Sequence, residues 1–313
     1  MIVVRNLDEL QDALRGACVT IGNFDGVHKG HQKLLSRTRE KALACSAESV
    51  AVTFDPHPMS VLASGHAPPF ITLIDQKLEL ISAQGVELCV VLEFTREMGA
   101  LEPEEFVRRY LVDALNMKHM VIGYDYAFGK GRKGNYELLT ELGRKFDYSV
   151  ERVGPFMLED AVVSSTRIRD LVKSGQVWEA RPLLGRFYTV KGEVQHGANR
   201  GGKLLGFPTA NLKLVDELFP AMGVYAVWAT YEGQTLPAVA NIGYNPTFGN
   251  EALSVEVHIM DFDRNIYGHE LRVQFVQRLR SEKKFNGIDE LKAQIAHDTE
   301  LGRKILSSSQ AQP

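Results

Sequence analysis

Gly22-Asn23-Phe24-Asp25-Gly26-Val27-His28-Lys29-Gly30-His31 is the stretch that decides how this chain is read. An apolar run, Ala17-Cys18-Val19-Thr20-Ile21, feeds into it and a helical pattern over 32–44 leaves it, so the two histidines fall on a strand-to-helix turn. The first N–H groups of a helix lack internal partners and carry the positive end of its dipole, so an anion is held there without a special side chain. Gly22, Gly26 and Gly30 permit close backbone approach, and Asp25 sits among them. His28 and His31 are three apart and project to nearly the same side once the helix has begun, where both meet one phosphate. Taken alone, H-x-x-H also suits a surface turn or half of a metal site.

Outward from the turn, apolar strands alternate with helical patterns. Strands are expected over 49–54, 86–94, 119–126 and 149–153, and helices over 75–83, 103–115 and 135–146. Asp55-Pro56-His57-Pro58 cannot continue a strand and reads as a rigid loop. Alternation of this kind predicts a parallel sheet covered on both faces. The turn at 22–31, the loop at 55–58 and a loop over 125–134 would open on the edge where such sheets collect ligands. Val163-Ser164-Ser165-Thr166-Arg167-Ile168-Arg169-Asp170 then opens a further helix, which Ser164 or Ser165 can cap. Arg167 and Arg169 offer guanidinium forks suited to phosphate oxygens, or stand as solvated arginines on a capped helix.

Near Leu184-Gly185-Arg186-Phe187 the pattern changes to short strands, over 188–194, 223–231, 236–242, 253–260 and 270–275, with an amphipathic helix over 288–306. A small barrel or sandwich follows. The 313 residues suit two domains at about 150 residues each. A net charge of −3 argues against nucleic-acid binding through general electrostatics. Cys18, Cys45 and Cys89 lie in or beside apolar patterns without C-x-x-C spacing and read as buried thiols in a reducing compartment. No window approaches the roughly eighteen apolar residues of a membrane span and no signal-like segment opens the chain, so a cytoplasmic protein is expected, with no membrane partner, as a monomer or transient homo-oligomer.

A second chemical grouping is Gly201-Gly202-Lys203-Leu204-Leu205-Gly206-Phe207-Pro208-Thr209-Ala210-Asn211. Glycines let backbone amides cradle phosphates, and the Thr209 hydroxyl and Asn211 amide are hard oxygen donors for Mg²⁺. The loop lacks the Gly-Lys-Ser/Thr of a Walker motif and equally suits a structural turn. In Ser254-Val255-Glu256-Val257-His258-Ile259, Glu256 alternates with apolar residues. It is a candidate general base if its face looks into the barrel, and a solvated glutamate if it does not.

These residues resemble the bacterial bifunctional riboflavin kinase/FMN adenylyltransferase family over nearly the whole chain. Gly22 to His31 looks like its nucleotidylyltransferase H-x-G-H motif and Ser164-Ser165-Thr166-Arg167-Ile168-Arg169 like S-S-T-x-I-R. Phe54-Asp55-Pro56-His57-Pro58 and Gly123-Tyr124-Asp125-Tyr126-Ala127-Phe128-Gly129 also fit, with Tyr126 where the family pattern has phenylalanine. Gly206 to Asn211 looks like the flavokinase P-T-A-N motif, followed in order by Asn241-Ile242-Gly243, Pro246-Thr247-Phe248-Gly249, Glu256-Val257-His258, Arg278-Leu279-Arg280 and Lys283-Lys284-Phe285.

The resemblance implies an α/β nucleotidylyltransferase domain over 1–184, with a Rossmann-like parallel sheet, and a riboflavin kinase β-barrel over 185–313 with a terminal helix. It implies that ATP phosphorylates riboflavin to FMN in the barrel and a second ATP adenylylates FMN to FAD in the sheet domain. Glu256 would be the base, Thr209 and Asn211 the Mg²⁺ ligands, and Gly201, Lys203, Gly206, Phe207, Pro208, Asn241, Arg278, Arg280 and Phe285 the nucleotide and flavin contacts. His28, His31, Gly22, Asn23, Phe24, Asp25, Gly30, Ser164, Ser165, Thr166, Arg167 and Arg169 would hold the triphosphate for adenylylation, with Phe54, Asp55, His57, Asp125 and Phe128 around flavin or ATP. Three alternatives stand beside it. An adenylyltransferase whose barrel only binds flavin is opposed by Glu256 with Thr209 and Asn211. A non-catalytic flavin-binding protein is opposed by phosphate-site residues in both halves, and a metal hydrolase on His28 and His31 by the lack of an evident third ligand cluster.

Overall fold

The computed structural model describes residues 1–10, 14–62, 68–195, 206–213, 218–245 and 252–313. The chain divides into two compact units, Met1–Ser165 and Thr166–Pro313.

In the first unit, β1 (Ile2–Val4), β2 (Ala17–Ile21), β3 (Glu48–Phe54), β4 (Leu88–Leu92), β5 (Met117–Gly123) and β6 (Ser149–Val153) form one parallel sheet in the order β1-β4-β3-β2-β5-β6. Every residue of β2 and β4 is buried, as expected for strands covered on both faces. Alternation along the strands feeds two cores. Val19, Ile21, Val50, Val52, Val90 and Ile122 join one, while Ala51, Cys89 and Val91 join another with Leu35 and Ile81. Each fully buried Val, Leu or Ile contributes about 1.5–3 kcal/mol, which is why the apolar runs dominate the topology.

The helices are α1 (Lys29–Cys45), α2 (Pro58–Leu62), α3 (Ile74–Ser82), α4 (Arg96–Gly99), α5 (Pro103–Phe106) and α6 (Tyr136–Phe146), and a hairpin of β7 (Met157–Leu158) with β8 (Ala161–Val162) follows β6. Two expectations change. The helix expected over 103–115 is α-helical only through Phe106 and continues over Val107–Asp113 with the wider i→i+5 winding. Cys18 and Cys89 are buried but Cys45 is exposed, because the last turn of α1 runs past the sheet and leaves positions 43–46 in solvent. β2 lies between β3 and β5: the chain moves outward from β2 to β3 and β4, then returns to β5 on its other side. The turn after β2 therefore sits at the point where the sheet's winding reverses, the usual ligand position in such sheets.

The second unit begins within α7 (Ser165–Lys173) and continues through α8 (Val177–Leu184). β9 (Tyr188–Gln195), β10 (Ala210–Leu212), β11 (Gly223–Tyr231), β12 (Gln234–Asn245), β13 (Ala252–Ile259) and β14 (Glu270–Arg280) close into an antiparallel barrel in the order β10-β13-β12-β11-β14-β9. α9 (Ile288–Leu306) packs on its outside, against β11, β12 and β14. Gly302 permits this approach, since a Cβ there would lie 2.8 Å from Val239 Cγ1. β14 runs five residues beyond the expected end at 275, which puts Arg278 and Arg280 on the strand.

Candidate active sites

The turn after β2 is built from an unusual backbone. Phe24 and Val27 adopt φ of 47° and 38°, a left-handed conformation that costs a β-branched residue most, and both side chains are buried. Asp25 holds the turn in place. Its buried Oδ1 accepts from the Ile71 and Thr72 N–H groups at 2.9 and 3.1 Å, and its carbonyl accepts from the Ser165 hydroxyl at 2.9 Å. The Thr72 hydroxyl in turn accepts from the Gly26 N–H at 3.0 Å.

α1 begins at Lys29, so His28 is its N-cap. The His28 Nδ1 accepts the His31 N–H at 3.3 Å, and the rings stack with centroids 3.7 Å apart. Phe24 meets His31 edge-on at 5.4 Å. Burial, then the neighbouring His28 and Lys77, hold the His31 imidazole well below the usual histidine range, so it is neutral at pH 7. Gly30 lies against His28: a Cβ there would be 3.1 Å from its Cε1. Ser165 opens α7, and Thr166, Arg167 and Arg169 follow on the same helix beyond the boundary of the first unit.

At the ends of β3 and β5, Phe54 packs edge-on to Phe94 at 5.5 Å and Phe128 stacks on Tyr126 at 5.4 Å. Asp55 pairs with Arg5 at 3.4 Å, the buried His57 ring accepts the Met59 N–H at 3.1 Å, and Asp125 is exposed. Lys77 on α3 is a buried charged residue that sequence reasoning missed, because its segment reads as an ordinary amphipathic helix.

In the barrel, Val255, Val257 and Ile259 are buried on one face of β13, which places Glu256 and His258 on the other. That other face is the outer wall under α9. Glu256 is therefore neither inside the barrel nor freely solvated. It lines a cavity of about 350 Å³ with Phe207, Thr209, Asn241, Arg280 and Phe285, closed on one side by Leu291, Ile295 and Asp298 of α9. Strand register puts Asn211 on β10 and Asn241 on β12 directly opposite Glu256, one on each side. Cross-strand partners share a face of the sheet, so a carboxylate stands between two amides. Burial pushes the Glu256 carboxyl above the usual carboxylate range.

The Pro208 carbonyl accepts from the His258 Nδ1–H at 2.9 Å and Phe207 packs edge-on to His258 at 5.3 Å, so β13 anchors the Phe207-Pro208-Thr209 segment. Thr209 also lines a second cavity of about 290 Å³, with Pro208, Arg264, Asn265 and Tyr267. Arg278 donates to the Met222 carbonyl, and Gly206, exposed, takes φ of 78°. Gly201 and Lys203, like the Pro246-Thr247-Phe248-Gly249 motif, lie outside the described residues. Among the described residues no three His, Cys, Asp or Glu side chains form a metal-binding group.

A turn bearing two stacked histidines at the switch point of a parallel sheet, and a barrel whose carboxylate stands between two amides under a roofed cavity, are the arrangements expected of a two-domain phosphate-transfer enzyme. The FAD synthetase family model matches residues 10–167 and the riboflavin kinase model residues 184–306. Bifunctional riboflavin kinase/FMN adenylyltransferases from Listeria monocytogenes and Escherichia coli K12 are 40% and 35% identical to it, the first over 92% of each chain, the second over 97% of this chain and 98% of its own. The chain belongs to the bifunctional riboflavin kinase/FMN adenylyltransferase family. A Streptococcus pneumoniae crystal structure described as a macrolide-efflux protein shares the fold, with a TM-score of 0.85 and 34% identity over 96% of this chain and 98% of that one. Among the described residues no helix is long and apolar enough to cross a membrane.

Proposed function

We propose that the barrel transfers the γ-phosphate of ATP to the 5′-hydroxyl of riboflavin, giving FMN and ADP, and that the sheet domain then joins AMP from a second ATP to FMN, giving FAD and pyrophosphate. The observation that carries the first step is Thr209 at the junction of two cavities, with Glu256 in one of them. The larger, walled by Phe207, Val224, Val239 and Phe285, suits a flat flavin ring, and the smaller suits the nucleotide. Glu256 takes the hydroxyl proton as the oxygen attacks the γ-phosphorus and the bond to ADP breaks. Its raised proton affinity suits that task.

The donors present fit a hard divalent cation: the Thr209 hydroxyl and Asn211 amide are oxygen ligands of the kind Mg²⁺ takes beside phosphate. They would hold it, and it would supply neutralisation of phosphate charge. Gly201, Lys203, Gly206, Pro208, Asn241, Arg278, Arg280 and Phe285 complete the nucleotide and flavin contacts in this reading.

In the sheet domain the FMN phosphate is itself the nucleophile at the α-phosphorus, so no protein nucleophile is required. We assign His28 and His31 as hydrogen-bond donors to phosphate oxygens, with the turn over Gly22, Asn23, Phe24, Asp25 and Gly30, and Ser164, Ser165, Thr166, Arg167 and Arg169, as the rest of the triphosphate site. Phe54, Asp55, His57, Asp125 and Phe128 are proposed around flavin or adenine. The same proposal divides the activities at 184/185, with 1–184 for adenylylation and 185–313 for phosphorylation, and puts the enzyme in the cytoplasm as a monomer or transient homo-oligomer. The kinase family match beginning at residue 184 supports that division. Incubation with riboflavin, ATP and Mg²⁺ tests the reading: FMN and then FAD should accumulate. FAD from supplied FMN alone would leave only the adenylyl transfer standing, and no turnover of either flavin would overturn both steps.

A further inference from the structure

Lys77 has a place in the fold that helix packing does not explain. It is 5% exposed and shares the covered side of α3 with Gln76 and Ile81. Its ammonium makes no hydrogen bond, and no ion pair within 4.0 Å, among the described residues. An ammonium on a side chain only 5% exposed, without a direct partner and with only a narrow opening to water, is costly, so sequences keep one there only where something compensates.

Its surroundings say what that is. The Asp25 and Asp55 carboxylates and the Cys89 thiol act on it, and it acts in turn on the His31 imidazole, so it belongs to the neighbourhood of the turn after β2 and of the loop after β3. Neither carboxylate closes on it. The Asp25 Oδ1 is held by the Ile71 and Thr72 N–H groups, and Asp55 pairs with Arg5. Those bonds to Ile71 and Thr72, with the Thr72 hydroxyl on the Gly26 N–H, tie the start of α3 to the turn and so fix where Lys77 stands. Burial pushes its ammonium below the usual lysine range, the direction expected for a cation awaiting a counter-charge.

We infer that the Lys77 ammonium is an anion-binding group of the adenylyl-transfer site, there for the triphosphate of the bound nucleotide. The inference rests on the adenylyl-transfer reading of that turn. His31 is neutral and His28 accepts through Nδ1, so these two imidazoles supply hydrogen bonds without charge, beside the guanidinium groups proposed at Arg167 and Arg169. Lys77 adds the compact positive charge that phosphate oxygens call for as charge moves onto the departing pyrophosphate.

Lys77→Met keeps length and apolar stem while removing the charge. FMN-to-FAD conversion should fall on the order of 10²-fold in kcat/KM, the usual cost of one preorganised electrostatic group. Riboflavin phosphorylation by the same molecule should be unchanged, and melting of the N-terminal unit no lower than wild type, because an unpaired buried charge has gone. Inorganic pyrophosphate should raise the melting temperature of wild type and not of the variant. FAD formation within threefold of wild type would overturn the inference, as would undiminished protection by pyrophosphate. Should Lys77→Met lose the folded unit, Lys77→Gln read by pyrophosphate protection decides in the same way. A wild-type protein that made no FAD would overturn the adenylyl-transfer reading, while protection lost in Lys77→Met would still uphold an anion site at Lys77.

Discussion

The imidazole of His28 caps the helix that carries His31: its Nδ1 accepts the His31 backbone N–H at 3.3 Å, and the two rings lie 3.7 Å apart with 16° between their planes. An Nδ1 that accepts carries no proton, so the neutral ring is protonated at Nε2 and can donate from there. One side chain thus both opens the helix and presents a donor.

The two roles separate by substitution. His28→Ala should lose the cap, about 0.5–2 kcal/mol, and also the donor, with FAD formation down on the order of 10²-fold. His28→Asn supplies a good capping side chain and should return the stability without the activity. Thermal melts beside an FMN-to-FAD assay check both, and full activity in His28→Asn would remove the catalytic role from His28.

Gly30→Ala tests the geometry of the same ring. The new Cβ would stand 3.1 Å from Cε1 and 3.2 Å from Nδ1 of His28, so the ring must give way slightly and its cap bond is displaced. FAD formation should fall about tenfold or more, in keeping with the cost of small misplacements at a reacting centre. Riboflavin phosphorylation, carried by the other unit, should keep its wild-type rate in the same preparation.

Much of this is legible in the sequence, and the gaps have physical causes. The paired histidines and the glycines of the turn declare themselves by their spacing after an apolar strand, though the left-handed backbone at Phe24 and Val27 does not, and the alternating patterns yield both folds. The side of β13 that carries Glu256 does not follow from alternation: it depends on where α9 packs, and a barrel has two faces that can each be covered. The Asn211–Glu256–Asn241 row exists only through register across three strands. Lys77 is not singled out in the sequence because burial of a charge is set by tertiary packing, not by its own segment.

Glu256→Gln should abolish riboflavin phosphorylation and leave FMN-to-FAD conversion intact. Wild-type phosphorylation should fall on the acid side with a midpoint above the ordinary glutamate value of about 4.3. The stability effect has the opposite sign to that of a paired carboxylate. With the folded-state affinity for a proton raised, the folded form binds more protons than the unfolded one between the two pKa values, so Glu256 lowers stability as pH rises through its folded pKa. At neutral pH the barrel of Glu256→Gln should therefore melt at the same temperature as wild type or higher. A variant that melted much lower would point to a structural role for the carboxylate.

Arg280 and Asp298 join the barrel to the helix that roofs its cavity. The Arg280 Nε and Nη2 both lie 2.8 Å from the Asp298 Oδ2, with the Asp298 side chain 5% exposed and that of Arg280 22% exposed. Both residues line the cavity that holds Glu256. Asp298→Ala leaves the guanidinium without its partner and should cost about 2–4 kcal/mol, somewhat below a fully sealed pair because Arg280 keeps partial access to water. As α9 loosens, the KM for riboflavin should rise more than kcat falls, and FMN-to-FAD conversion should hold. Replacing both partners, Arg280→Met with Asp298→Leu, should recover most of the stability, since an apolar pair of similar volume often substitutes for a buried ion pair. If the double variant also recovered riboflavin affinity, the pair would serve the roof alone. Continued weak binding in a stable double variant would place the Arg280 guanidinium among the groups that hold the substrate.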